Sequence, residues 1–116
     1  MRNTKWAEWI LRIGVAGEFI GHGAFAIQGK ADWVAWFAKF GIGDPVLATQ
    51  ILFLIGLLDF VVATIVLLRP VKSVLLWAAF WGFFTALVRP IVGQPIWDFI
   101  ERFANWAAPL ALYYLI

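Results

Sequence analysis

Four long apolar segments, each near the length of one membrane crossing, are the feature that most restricts this fold. A helix needs roughly 20 apolar residues to cross about 30 Å of hydrocarbon. Breaks containing Gly and Pro separate the segments, which cover residues 6–28, 46–68, 72–91 and 96–116. Hydrophobic residues make up 64% of the chain and charged residues 14%, too apolar a balance for a water-soluble domain of this size. The sequence therefore predicts one all-α domain, an antiparallel four-helix transmembrane bundle in which consecutive helices are neighbours.

A shorter segment, residues 31–40, lies between the first two predicted spans. Four aromatic side chains recur in it at helical spacing, while Asp32 and Lys39 point elsewhere. These aromatic residues are Trp33, Trp36, Phe37 and Phe40. The pattern favours a short amphipathic helix lying in the membrane interface, and a plain loop is the alternative.

Lysine and arginine are distributed unevenly between the two ends of the predicted bundle. The positive residues at the N-terminal end are Arg2, Lys5, Arg12, Arg69 and Lys72. At the other end, four positive residues are balanced by four acidic ones. Positive residues favour the cytoplasmic side, so both termini are expected to face the cytoplasm. Arg12 is expected to extend along the helix to the membrane surface.

Ionisable residues inside the predicted spans are costly in lipid, and such groups usually face the bundle interior and mark a site. Glu18 and His22 share a face of the first helix, because four residues separate them. A stripe of small residues beside that face is expected to let another helix approach closely; it contains Gly14, Gly17, Gly21 and Ala24. Asp59 and Arg89 lie on similar small-residue stripes of the second and third helices.

Packing these stripes inward predicts one buried polar cluster that binds a ligand or protons. Its predicted members are Glu18, His22, Asp59, Arg89, Glu101 and Asn105. Arg89 is the expected counter-ion, since its planar guanidinium can bind two carboxylates. The carboxylates outnumber it, so a proton, a cationic His22 or a bound cation must balance the charge. The alternative is a purely structural ion-pair cluster that fixes helix register.

Several functional classes are made less probable by the residues themselves. The chain has no Cys, which excludes thiol chemistry and thiolate metal ligation, and no metal site is predicted. Its net charge of +2 and lack of a basic run give no support for nucleic-acid binding. No resident cofactor is evident and no catalytic residue is identified. A quinone is a candidate ligand, while His22 as a haem or chlorin ligand is a weaker alternative because no second His is present.

Three stretches resemble the DoxX-like family of small four-helix membrane proteins: Leu11–Lys30, Gly41–Pro45 and Val88–Leu112. The residues that match the polar pattern of the family are Arg12, Glu18, His22, Asp59 and Arg89. In the family the acid of the second helix is typically Glu followed by small residues, whereas here Asp59 is followed by Phe60. The resemblance implies a link to quinone-dependent sulfur oxidation or to membrane oxidoreductase complexes of oxidative-stress defence. A shared fold does not by itself establish either role.

Three functions follow from these observations. The first is an accessory membrane subunit whose polar cluster binds a quinone head group or another small polar ligand, with protons passing through the carboxylates and His22. The second is an assembly subunit that contacts partner membrane proteins, or copies of itself, through its aromatic and small-residue faces. The third is a small oligomeric transporter. Whether the chain is an enzyme is left open, and a non-catalytic subunit is favoured.

Overall fold

The computed structural model of the protein describes residues 2–116 without the side chain of Arg2, and the regular secondary structure in this part of the chain is α-helix. Arg2 is one of the positive residues from which the membrane orientation is predicted, and its side chain lies outside the described residues. No strand occurs within residues 2–116. The helices are α1 (Arg2–Ile27), α2 (Ala31–Lys39), α3 (Pro45–Leu68), α4 (Lys72–Ile91), α5 (Ile96–Ile100) and α6 (Ala104–Leu115). Helices α1, α3 and α4 are long and apolar enough to cross a membrane, as the sequence predicts.

Large apolar side chains cover the outside of these three helices. Ile10 and Leu54 are each about two-thirds exposed, and Phe80 is more than half exposed. A third or less of each candidate span is buried within the protein. Water would oppose this much apolar surface, whereas lipid accommodates it, so the surface indicates a bilayer environment.

The fourth predicted span, residues 96–116, is not one continuous helix. It is divided into α5 and α6 by a tight turn at residues 101–103. In this turn the N–H of Phe103 donates to the carbonyl of Ile100 at 3.2 Å, and that of Asn105 to Arg102 at 2.9 Å. These bonds span three residues, the tighter 3₁₀ pattern. The 12 residues of α6 extend only about 18 Å, too short to cross a bilayer alone.

Helices α1 and α3 form an antiparallel pair in which two glycines allow close contact. A Cβ added at Gly56 would lie 2.8 Å from the carbonyl oxygen of Gly23, closer than real Cβ contacts. At the other end of the pair, Arg12 of α1 contacts Val66 of α3. Backbone contact of this kind is how glycine tightens helix packing in membranes.

Helices α4 and α6 form a second antiparallel pair. The Lys72 ammonium lies 5.3 Å from the centre of the Tyr113 ring near one end. Further along, a Cβ added at Gly82 would overlap the backbone carbonyl of Asn105. Pro109 has no N–H to bind that carbonyl within α6, so the carbonyl is free to lie against α4.

One apolar core joins the two pairs. Its buried residues are Val15, Ala16, Phe19, Val62, Ala63, Val66, Leu75, Ala78 and Leu112. Helix α1 contacts α6, whereas α3 and α4 touch only slightly, although a short connection joins them. The predicted contact between these two consecutive helices is present, but it is less extensive than the contacts within the two pairs. A short connection fixes only the ends of two helices, and their facing side chains decide how closely they pack.

The predicted glycine stripe of α1 does not face another helix. Gly14, Gly17 and Gly21 are exposed, and a Cβ added at any of them would meet nothing within 4 Å. Gly23 makes the helix contact instead, because it lies on the opposite face with the buried residues of α1. Small-residue spacing alone could not tell which face packs.

Arg12 is buried against the end of α3, so its side chain does not extend freely along its own helix as predicted. Its Nε donates to the carbonyl of Val66 at 3.0 Å, and Nη2 donates to the carbonyl of Leu67. Nη1 donates to Glu8 at 3.2 Å, and the guanidinium lies 3.9 Å from the centre of the Trp9 ring. The last carbonyls of a helix lack partners within it. Arg12 satisfies two of them on α3 and places positive charge at the negative end of that helix.

Gly29 turns the chain from α1 into α2. Its φ of 67° is in the left-handed region that glycine adopts easily. The next N–H, of Lys30, donates back to the carbonyl of Phe25 at 3.2 Å, as in a Schellman motif. This turn folds α2 back against α1 and α3. The structure confirms a helix here, and its location at a membrane interface stays a prediction.

Candidate functional site

A histidine–aspartate pair links α1 to α3 at the closest approach of the two helices. His22 Nδ1 lies 2.8 Å from Asp59 Oδ2, and Asp59 is only 1% exposed. The neighbouring Gly23 makes this contact possible, because a Cβ there would lie 3.1 Å from that of Asp59. The bond occupies Nδ1 of the imidazole, so Nε2 is the nitrogen that remains for another partner.

The second carboxylate oxygen of Asp59 has no hydrogen bond within residues 2–116. This oxygen, Oδ1, is fully buried. Glu18 lies one turn before His22 on the same face of α1 and is half-buried. No hydrogen bond to the Glu18 carboxylate occurs among the described residues. Asp59 is therefore the carboxylate that bonds the imidazole, and Glu18 lies one turn away along α1.

A cavity of about 310 Å³ opens beside the imidazole, between α1, α2, α3 and α4. Aromatic and aliphatic side chains form most of its wall, and His22, Thr85 and Arg89 are its polar members. The aromatic residues of the wall are Trp33, Trp36, Phe37, Phe40, Trp81 and Phe84. Such a mostly apolar cavity with a few polar groups is typical of a small-molecule site.

Trp33 of α2 is the residue that connects the polar groups of the cavity. Its ring stacks on His22 with centroids 4.6 Å apart, and it is 7% exposed. The Arg89 guanidinium lies 6.0 Å from the centre of the same ring. Trp33 thus holds the imidazole on one wall and approaches the guanidinium of another.

Arg89, near the end of α4, has no carboxylate within salt-bridge distance in the described part of the chain. The predicted ion pairs between Arg89 and the carboxylates of the cluster are therefore wrong. Its Nη1 donates to the carbonyl of Thr85 at 2.8 Å, and its guanidinium lies 5.0 Å from the centre of the Trp36 ring. An aromatic face attracts a cation without neutralising it.

The last two predicted members do not join the site through their side chains. Glu101 lies in the turn after α5, and its side chain is 64% exposed and bonded to Arg102 at 2.7 Å. The turn that divides α5 from α6 carries this carboxylate out of the bundle. Asn105 contacts Gly82 of α4 through its backbone carbonyl. The structure thus brings His22 and Asp59 into contact, places Glu18 near them, and puts Arg89 on another wall of the cavity.

Sequence reasoning missed Trp33 and Trp36 as site residues. Their spacing predicted the apolar face of an interfacial helix. The same spacing also occurs in a helix whose aromatic face lines a cavity. No feature of the sequence distinguishes these two uses. Because α2 folds back at Gly29, its aromatic face lies against His22 and Arg89.

The cavity offers aromatic walls to a flat apolar ring, and Arg89 and His22 are polar residues that border it. Arg89 supplies N–H donors, and Nε2 of His22 donates or accepts according to its protonation. Among residues 2–116, no group of three or more His, Asp or Glu side chains gathers as a metal site. Comparison of the chain with protein-family models, curated proteins and solved structures gave no match, so its resemblance to the DoxX-like family stays a prediction from the residues.

Proposed function

We propose that this chain is an accessory membrane subunit that binds the head group of a quinone, or a similar small ring ligand, in the cavity between α1, α2, α3 and α4. One observation supports this most directly. His22 and Arg89 both line an otherwise largely apolar cavity, whose aromatic walls suit a flat ring. The two polar residues provide partners for ring oxygens.

The size of the cavity favours a single ring system over a macrocycle such as haem. A volume of about 310 Å³ lies near the lower end of the range for small-molecule sites. His22 is also stacked on Trp33, which limits the space beside the imidazole. The chain has no thiol to exchange electrons, so a redox reaction of the ligand would draw electrons from a partner subunit.

In the proposed arrangement the chain crosses the membrane four times, once more than the long helices α1, α3 and α4 provide. Helices α5 and α6 together form the fourth crossing, because the backbone of Glu101 and Phe103 in the turn between them is still helical. Helix α2 lies in the interface on the side opposite both termini. In this proposal both termini lie on the cytoplasmic side of a bacterial inner membrane. We further propose that the chain belongs to the DoxX-like family.

A cavity-filling substitution tests ligand binding. Val88 lines the cavity, whereas Leu76 of the same helix is exposed on the outer surface. We expect Val88→Phe to abolish saturable binding of a short-chain ubiquinone analogue, measured by calorimetry on protein in nanodiscs. Leu76→Phe, the matched control, should bind like the unmodified protein. Equal binding by the Val88→Phe protein would place the quinone elsewhere and contradict the proposal.

One observation favours the assembly role as a second candidate. The face of α1 that carries Gly14, Gly17 and Gly21 is open, and a small-residue face of this kind is typical of contacts between membrane helices. Gly17→Leu should then separate the protein from its partner, or from its own copies, during purification in mild detergent. An unchanged elution volume and composition for the Gly17→Leu protein would argue against this role.

A further inference from the structure

Arg89 places an unneutralised positive charge in the wall of the cavity. It belongs to α4, a helix long and apolar enough to cross a membrane, where a charged side chain is costly unless it finds a partner. The contacts it makes within residues 2–116 are the Thr85 carbonyl and the faces of Trp33 and Trp36. All three are uncharged. They compensate part of the desolvation and leave the charge itself unbalanced.

The other charged groups near Arg89 do not neutralise it. Asp98 and Glu101 attract it and Arg102 repels it, all from beyond salt-bridge distance. Glu101 is bonded to Arg102, so these two charges largely cancel. Asp59, which does not line the cavity, is bonded to His22. Asp98 is then the only nearby carboxylate among the described residues with no cationic partner of its own, and it does not contact the guanidinium.

The guanidinium also has spare hydrogen-bonding capacity. Arginine carries several N–H donors in a planar fork that matches a carboxylate. Within the described chain only Nη1 of Arg89 makes a hydrogen bond, to the carbonyl of Thr85. The remaining donors make no hydrogen bond to a described residue, and Arg89 borders a cavity whose surface is almost wholly apolar. A ligand that suits both features has an anionic oxygen group on an apolar body.

We propose that the natural ligand of this cavity is an amphipathic anion, whose carboxylate or phenolate oxygens bind Arg89 while its apolar part packs between the aromatic residues of α2 and α4. This inference rests on the proposed function and narrows it, because among the small ring ligands proposed there it favours those with an anionic oxygen over a neutral quinone. It also assigns Arg89 as the residue that selects anions over neutral rings of the same shape.

A pair of probes that differ only in charge tests this inference. Binding of 2-naphthoate and of its neutral methyl ester would be measured by calorimetry at pH 7.5, on protein in nanodiscs of zwitterionic lipid. We expect the unmodified protein to bind the anion at least about tenfold more tightly than the ester, as one charge-assisted hydrogen bond provides. Arg89→Gln should remove this preference and leave ester binding within about threefold, since ester binding also reports a folded cavity.

Two further variants separate charge from shape. Arg89→Lys retains the charge without the planar fork, so it should keep part of the preference. Asp98→Asn removes the carboxylate that competes for Arg89, so it should tighten binding of the anion by about two- to fivefold.

The outcomes distinguish this inference from the function on which it rests. If the ester binds as tightly as the anion and Val88→Phe blocks both, the cavity is a ligand site and the inference about charge is wrong. A preference for the anion that persists in Arg89→Gln would also overturn it. If neither probe binds and the quinone analogue does not bind, the proposed function fails as well.

Discussion

Replacing Gly82 with alanine is expected to lower the free energy of unfolding by about 2 kcal/mol or more. The new Cβ would overlap the carbonyl oxygen of Asn105 and lie 2.6 Å from its carbonyl carbon. Because these atoms belong to the backbone of α6, no side-chain rotation relieves the overlap, and α4 and α6 must move apart. The measurement is unfolding by SDS titration in mixed micelles, followed by circular dichroism.

Gly17→Ala is the matched control for this substitution. It adds the same methyl group to a helical glycine where nothing lies within 4 Å. Alanine favours the helix over glycine by up to about 1 kcal/mol, so this variant should be as stable as the unmodified protein or slightly more stable. If Gly82→Ala is as stable as Gly17→Ala, the close contact between α4 and α6 does not exist.

Loss of the Arg12 side chain is expected to destabilise the protein by about 3 kcal/mol. Arg12→Met keeps an unbranched apolar stem but removes the guanidinium and its hydrogen-bond donors. The carbonyls of Val66 and Leu67 at the end of α3 would lose their partner, and Glu8 would lose its counter-ion. The same SDS titration measures the effect.

Arg69→Met is the control for removal of a positive charge at the same end of the bundle. Arg69 is exposed and makes no salt bridge to a described residue, so its loss should change stability by less than about 0.5 kcal/mol. The stability of the Arg12→Lys protein should lie between the stabilities of the Arg12→Met and Arg69→Met proteins, because one ammonium cannot bind three separated acceptors. Equal stability of the Arg12→Met and Arg69→Met proteins would show that Arg12 does not cap α3.

The contact between Gly82 and α6 and the contact between Arg12 and α3 also position the candidate site. Gly82 lies within α4, the helix that carries Arg89 into the cavity wall, and Arg12 fixes α3 against α1, which brings Asp59 to His22. A loss of ligand binding in either variant would therefore follow from a loss of fold. For this reason the binding experiments rely on Val88 and Arg89, whose substitutions change the cavity directly.

The sequence by itself determined the helical fold class, the extents of α1, α3 and α4, and the buried stripe of α3 that contains Asp59. These features follow from local rules, since crossing a bilayer requires a minimum apolar length and Gly–Pro breaks end helices. It also indicated that Glu18, His22 and Arg89 are unusual, because charge is costly in such segments. It could not predict the division of the last segment into α5 and α6.

Only the tertiary structure decided which faces meet. It turned the glycine stripe of α1 outward, used Gly23 for the contact with α3, and buried Arg12 as a cap. It separated Glu101 from the cluster and brought Trp33 against His22. Helical periodicity shows which residues share a face, but the direction of that face depends on the fit of side chains on all the neighbouring helices at once. That fit involves residues far apart in sequence, and local patterns do not record it.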